Sequence, residues 1–357
     1  MTSGKAMVAA IVALAFATSA RAQDPGSPTF RPMGFADLSY VATDGPRPEG
    51  FLVGQVVGHL SAVLADRLNL FGEVSATARS NDFVVDVERL ILRYDFADFF
   101  KISAGRYHTP HSFWNTEYHH GLWLQTTTGR PEMIRFGSTV MPVHFVGLQV
   151  EGILEPGTIG LGYSAGIGNG RAANVARAGD AGDINDDRAL TFSLSVRPPA
   201  LPGLRIGGAL YLDRVSPAGV ETSIEERIAS AFVAWLWTGP ELIAEYARIT
   251  HEEDVAGANV AGTDAYYMQF AYRMPGRAGA LKPYLRFERI DVPAEDSFFG
   301  PLGVDYNGAV AGIRFDFAHL AALKAEYRSE RFSGAERTGA FIAQISFALS
   351  SVGMEEM

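Results

Sequence analysis

Residues 282–288 read Lys-Pro-Tyr-Leu-Arg-Phe-Glu, and residues 324–330 read Lys-Ala-Glu-Tyr-Arg-Ser-Glu. In an extended chain successive side chains point to opposite faces. Lys282, Tyr284, Arg286 and Glu288 therefore share one face and Leu285 and Phe287 the other, while Lys324, Glu326, Arg328 and Glu330 oppose Ala325 and Tyr327. Repeated over about sixteen segments, a charged face backed by an apolar one describes strands with a wet interior and a lipid-facing exterior. A soluble sandwich would send its charges outward and would need no connectors of two different lengths. The expected fold is all-β: a transmembrane antiparallel up-and-down barrel of about 16 strands.

Working outward, residues 1–22 carry Lys5, an apolar stretch over 6–17 and then Ala20-Arg21-Ala22, the pattern of a cleaved secretory signal peptide. Residues 23–32 are expected as a periplasmic arm, 33–349 as the barrel and 350–357 as a tail. No later window holds 18 uncharged apolar residues, so spanning by helices is excluded although 47% of the chain is hydrophobic. With no cysteine there are no disulfides, thiolate metal sites or cysteine nucleophiles. Without the leader, which holds Lys5 and Arg21, the net charge falls from −10 to about −12, which argues against nucleic-acid binding.

The expected strands run from 33–43 to 338–349. With the N-terminus in the periplasm, the connectors on its side are all short, and the opposite set includes 109–143, 169–187, 251–263 and 292–307. Trp235, Trp237, Phe315, Phe317, Phe96 and Phe347 lie beside the short turns, where an interfacial belt is expected. Segments 52–65 and 318–325 fit a helix as well as a strand. The alternation also breaks phase between Glu88 and Arg89, the mark of a bulge or of a strand leaving the bilayer. Eighteen strands result if 121–128 and 132–140 pair as a hairpin.

The connector 109–143 is far longer than a hairpin needs. It follows Gly105-Arg106-Tyr107-His108-Thr109-Pro110, and a strand that ends in Gly-Arg-aromatic and enters a Thr-Pro loop resembles the porin superfamily of Gram-negative outer membranes, nearest to phosphate-selective porins. The motif covers about residues 105–151 and the architecture the whole barrel. The resemblance implies a third outer loop folded into the lumen as a constriction, passive diffusion of small hydrophilic solutes or ions, residence in the outer membrane among lipid and lipopolysaccharide, and often a homotrimer. The chain departs from it in having no lysine ladder and in continuing past its last strand. Arg106, Glu117, Glu132 and Arg135 are the expected frame of the constriction, and Glu151, Arg286, Glu288, Arg314, Lys324 and Arg328 are charges on the lumen wall. No cofactor is implied.

His108, His111, His119, His120 and His144 fall within 37 residues. Imidazoles at the first four, with the Glu117 carboxylate, are candidate ligands for zinc, copper or nickel, and the alternative is that they hydrogen-bond to pin the loop. A rival class is a barrel enzyme of lipase or protease type, for which Ser112 lies near His108, His111 and Glu117 without a Gly-x-Ser-x-Gly elbow. A metal-binding or purely structural barrel is the remaining alternative. The acidic loop stretches 180–187 and 251–254 could bridge lipopolysaccharide through divalent cations or be solvated loop charge.

Overall fold

A computed structural model of the chain describes residues 28–350 apart from 80, 81, 119, 155–158, 184 and 220. The leader, the first part of the arm and residues 351–357 lie outside the described residues. Sixteen strands form one closed antiparallel barrel: β1 Thr29–Thr43, β2 Gly50–Ala65, β3 Leu68–Arg79, β4 Asp82–Ala97, β5 Phe100–His108, β6 His144–Leu154, β7 Leu161–Asn169, β8 Ala189–Val196, β9 Leu204–Val215, β10 Ile224–Leu236, β11 Pro240–Glu253, β12 Ala261–Tyr272, β13 Leu281–Asp291, β14 Tyr306–Ala318, β15 Ala321–Phe332 and β16 Thr338–Ser350. Each strand pairs with its neighbours in sequence, and β1 closes on β16 from Met33 against Ser350 to Thr43 against Ala340. Closure leaves no open edge, so every strand finds backbone partners on both sides, the condition for crossing lipid.

The two faces separate sharply. Leu285, Phe287 and Tyr327 are 48, 55 and 56% exposed, whereas Arg286 and Lys324 are 0% and Glu326 1% exposed. The apolar set therefore faces out, where a charge at the bilayer centre would cost about 2–4 kcal/mol. Phe96, Trp237, Phe315 and Phe317 are exposed beside the short turns. No helix among the described residues is long and apolar enough to cross a membrane.

Both ambiguous segments are strands: residues 52–65 belong to β2, and 318–325 form the end of β14, a two-residue turn and the start of β15. Between β3 and β4 the register slips from Glu73 opposite Arg89 to Val74 opposite Val87. Glu88 is the extra residue of a β-bulge, so the break in alternation at Glu88–Arg89 marks a bulge and turns both side chains inward.

One boundary moves. The arm expected over 23–32 gives residues 29–32 to β1, where Thr29 to Pro32 pair with Val63 to Leu60. Pro32 argues against a strand because it lacks a backbone donor. It is accommodated in β1 opposite Leu60 of β2.

Candidate functional site

Connector 109–143 occupies the interior of the barrel rather than its rim. It holds one short helix, α1 (Phe113–Glu117), and a single 3-10 turn, Glu132–Ile134, in place of a further strand hairpin. Ser112 caps α1, its Oγ accepting from the Asn115 amide at 3.2 Å. The Phe113 and Trp114 amides, which an α-helix leaves without internal partners, both donate to the Glu245 carboxylate of β11 at 2.8 Å. Asn115 Nδ2 donates to Thr109 O at 3.1 Å and Val143 O at 2.9 Å, tying the two ends of the connector together.

The middle of the connector lies against the charged ladder of β11 to β16. Arg314 donates to Trp123 O and Gln125 O at 2.6 and 2.8 Å, and Lys324 Nζ to Leu122 O and Thr127 O at 2.5 and 2.9 Å. Arg286 donates to Thr127 Oγ1, Gly129 O and Arg130 O. The carboxylates take the amides: Glu326 accepts from Thr128 N at 3.0 Å and Glu288 from Glu132 N at 2.5 Å. Wall cations meet loop carbonyls and wall anions meet loop amides, so buried backbone groups that water cannot reach are satisfied by side chains. Arg328 completes the ladder through Glu326 at 2.6 Å.

The expected site residues thus divide. Arg286, Glu288, Arg314, Lys324 and Arg328 sit behind the connector and hold it. Glu132 is buried and pairs with Arg135 at 2.8 Å; burial pushes its carboxyl above the usual range, against the pull of that arginine. Arg106 bonds Glu88 O at 3.2 Å and pairs with Asp180, and Glu117 pairs with Arg205. Glu151 faces Arg93 at 3.2 Å.

Open space lies on the other side. A cavity of about 880 Å³ is bounded by β1 to β10 toward their short-turn ends and by the connector at Pro110, Ser112 and Thr116. Its charged lining consists of Arg31, Arg89, Arg93, Lys101, Arg197 and Arg205 against Glu151 as the one carboxylate. Alternation singled out Glu151 on this wall but not Arg31, Arg89, Arg93, Lys101 or Arg205. Their sign becomes visible only when the ladder on the opposite wall is seen to be used up by the loop.

The histidines divide as well. His108 and His120 converge with Glu73, their ligand atoms lying within 4.8 Å of one another. His111 lies elsewhere: its Nε2 faces Pro142 O at 2.5 Å and its ring meets Tyr211 edge-on. Burial lowers the His111 pKa to about 4 despite that carbonyl. Glu117 is engaged by Arg205, and His119 lies outside the described residues. Ser112 is engaged as the cap of α1.

No family model and no curated protein matches this chain. Solved structures do. An anion-selective porin from Comamonas acidovorans superposes with a TM-score of 0.65 at 12% identity, over 91% of this chain and 100% of that one. OmpF of Salmonella typhi, in complex with daunomycin, gives 0.62 at 12% identity over 91% and 98%. The trimer form of OmpT, an outer membrane protein of Vibrio cholerae, gives 0.60 at 13% identity over 91% and 100%. At these identities the likeness is one of fold: the chain has the sixteen-stranded barrel of Gram-negative outer-membrane porins.

Proposed function

We propose that this chain is an outer-membrane channel for passive diffusion of small hydrophilic solutes, with a preference for anions. The observation that carries this reading is the charge bordering a cavity of about 880 Å³, where Arg31, Arg89, Arg93, Lys101, Arg197 and Arg205 outnumber the carboxylates that meet them, Glu151 in the lining and Glu73, Asp95 and Glu117 beside it. Sixteen strands enclose a lumen wide enough for an aqueous path. A low-dielectric wall of one sign concentrates counter-ions inside it. Connector 109–143 acts as the constriction, with Arg106 and Glu117 at its margins and Arg89, Arg93, Lys101 and Arg205 setting selectivity. Transport on this reading is diffusive, with no covalent step and no cofactor taking part. Export by residues 1–22, contact with lipid and lipopolysaccharide and assembly as a homotrimer belong to the same reading.

The test is a planar bilayer recording of the purified full-length chain under a potassium chloride gradient. A stepwise conductance with a reversal potential of chloride sign is expected. A barrel that inserts without conducting, or one that reverses toward potassium, overturns the reading. Lipase and protease assays on the same preparation address the hydrolase alternative, and cross-linking in native membranes addresses the trimer.

A further inference from the structure

Where the bulge in β4 meets the connector, side chains from six elements come together on the inner wall. Glu73 of β3 receives His59 Nε2 at 2.6 Å on one oxygen and has His108 Nε2 at 3.3 Å and Arg89 Nε at 2.5 Å on the other. Glu88, turned inward by the bulge, has His144 Nε2 at 2.8 Å and His120 Nε2 at 3.3 Å. The His108 ring lies 6.0 Å from that of His120 and 5.8 Å from that of His144. Two carboxylates and four imidazoles within one patch form a nitrogen and oxygen donor set suited to borderline dications.

We propose that Glu73, His108 and His120 bind a divalent transition-metal ion of the zinc class, with the fourth position left to water beside Glu88 and His144.

Three features point to a metal rather than to a hydrogen-bonded cluster alone. The first is the orientation of His120. Its Nδ1 faces Gln55 Oε1 at 3.2 Å, and Gln55 Nε2 donates to Thr77 Oγ1 at 2.8 Å. Nδ1 is held toward that oxygen and Nε2 points to the carboxylates, the outer-shell arrangement that orients metal-ligating histidines. The ring is also held from one side by stacking on Phe136 at 4.8 Å. The second is the donor count. One carboxylate and two imidazoles with a further position leave the three-plus-one set that zinc takes when its site stays open to exchange. The third is access: the ligands are buried, yet His108 also lines the cavity, so an ion can arrive from the water-filled side.

Around a tetrahedral ion, donor atoms stand roughly 3.3 Å apart, so the three donors must close by about 1 Å or more from their present span. Arg89 stands in competition for Glu73. It lies over the Phe71 ring at 4.3 Å and borders the cavity, where it can turn into water as the ion enters. Because His120 belongs to the connector and Glu73 and His108 to the wall, the bound ion clips the constriction loop to β3 and β5.

The experiment titrates zinc chloride into the folded full-length barrel in detergent and follows heat, with cobalt chloride as a spectroscopic probe. About one equivalent of zinc is expected to bind at micromolar concentration, and cobalt to give the intense visible bands of a four-coordinate nitrogen and oxygen site. H108A and H120A are each expected to weaken binding at least roughly tenfold. R89Q is expected to strengthen it, and H319A, in the turn between β14 and β15, to leave it unchanged. Absence of heat with the native chain overturns the proposal, as does undiminished binding by the doubly substituted H108A/H120A protein. Should the alanine variants fail to fold, the native chain still decides: the weak bands of six-coordinate cobalt overturn the site. Binding is read without current, so it is judged separately from conduction.

Discussion

The two halves of the lumen wall start from the same pattern and end in opposite states. On β11 to β16 the inward charges are buried against the connector: Arg286 and Lys324 have no exposed surface and spend their donors on its carbonyls. On β1 to β9 the inward charges border open space, and the cations outnumber the carboxylates that pair with them. One loop, laid to one side, converts a symmetric ring of charge into an anchoring wall and a basic path. The anchoring wall carries both signs because a peptide backbone has both donors and acceptors to satisfy. The path does not have that constraint.

Substitutions on the anchoring wall should act on stability and gating. R286A removes the donor shared by Thr127 Oγ1, Gly129 O and Arg130 O and strands Glu288, its partner at 2.8 Å. Breaking one side of a buried pair costs about 3–5 kcal/mol. The expected result is a released connector, seen as larger and noisier single-channel currents and as new protease cuts within 109–143. Unchanged currents would break the division between the two walls.

Acid should loosen the connector at a different place and more gently, where His111 packs on Tyr211 of β9. The His111 pKa falls from 6.5 unfolded to about 4 in place, because burial disfavours the imidazolium. A group whose folded pKa is depressed in this way binds more protons when undocked, so docking is at full strength above pH 6.5 and weakens as pH falls toward 4. The full difference is about 3 kcal/mol. Arg171 opposes and Glu226 favours the charged ring. Closure or flicker of the channel between pH 6 and 4 in native protein, and its reduction in H111N, would sharpen the comparison; a flat response would count against it.

On the path, the expected effects are on selectivity alone. R31E with K101E reverses two cations that line the cavity, and the reversal potential should move toward the cation side with thermal stability unchanged. A still smaller effect is expected from E117Q. It releases Arg205, which Glu117 contacts with Arg197 at 4.0 Å, and an exposed pair of this kind contributes about 0–1 kcal/mol. Anion preference should rise slightly; a fall would mean that Glu117 does not face the path.

Much of the fold was legible. Sixteen strands, the membrane-facing side of each, the two classes of connector and the bulge at Glu88–Arg89 all follow from a period of two and its single interruption. The start of β1 was missed by four residues because Pro32, which lacks a backbone donor, reads as a break. The site was legible in part. Five histidines within 37 residues were visible, but their grouping was not, since Glu73, His108 and His120 share no spacing in the sequence and meet through the pairing of β3 to β5 and the path of the loop.

What the sequence determined by itself is which residues face inward, because alternation in a strand is a local property. Lys101 and Lys324 are alike by that rule. That Lys324 is consumed by the carbonyls of residues 122 and 127 while Lys101 borders water was decided by the tertiary structure alone. The reason is physical: which wall the connector covers depends on hydrogen bonds between residues more than 100 positions apart, and no local period encodes them.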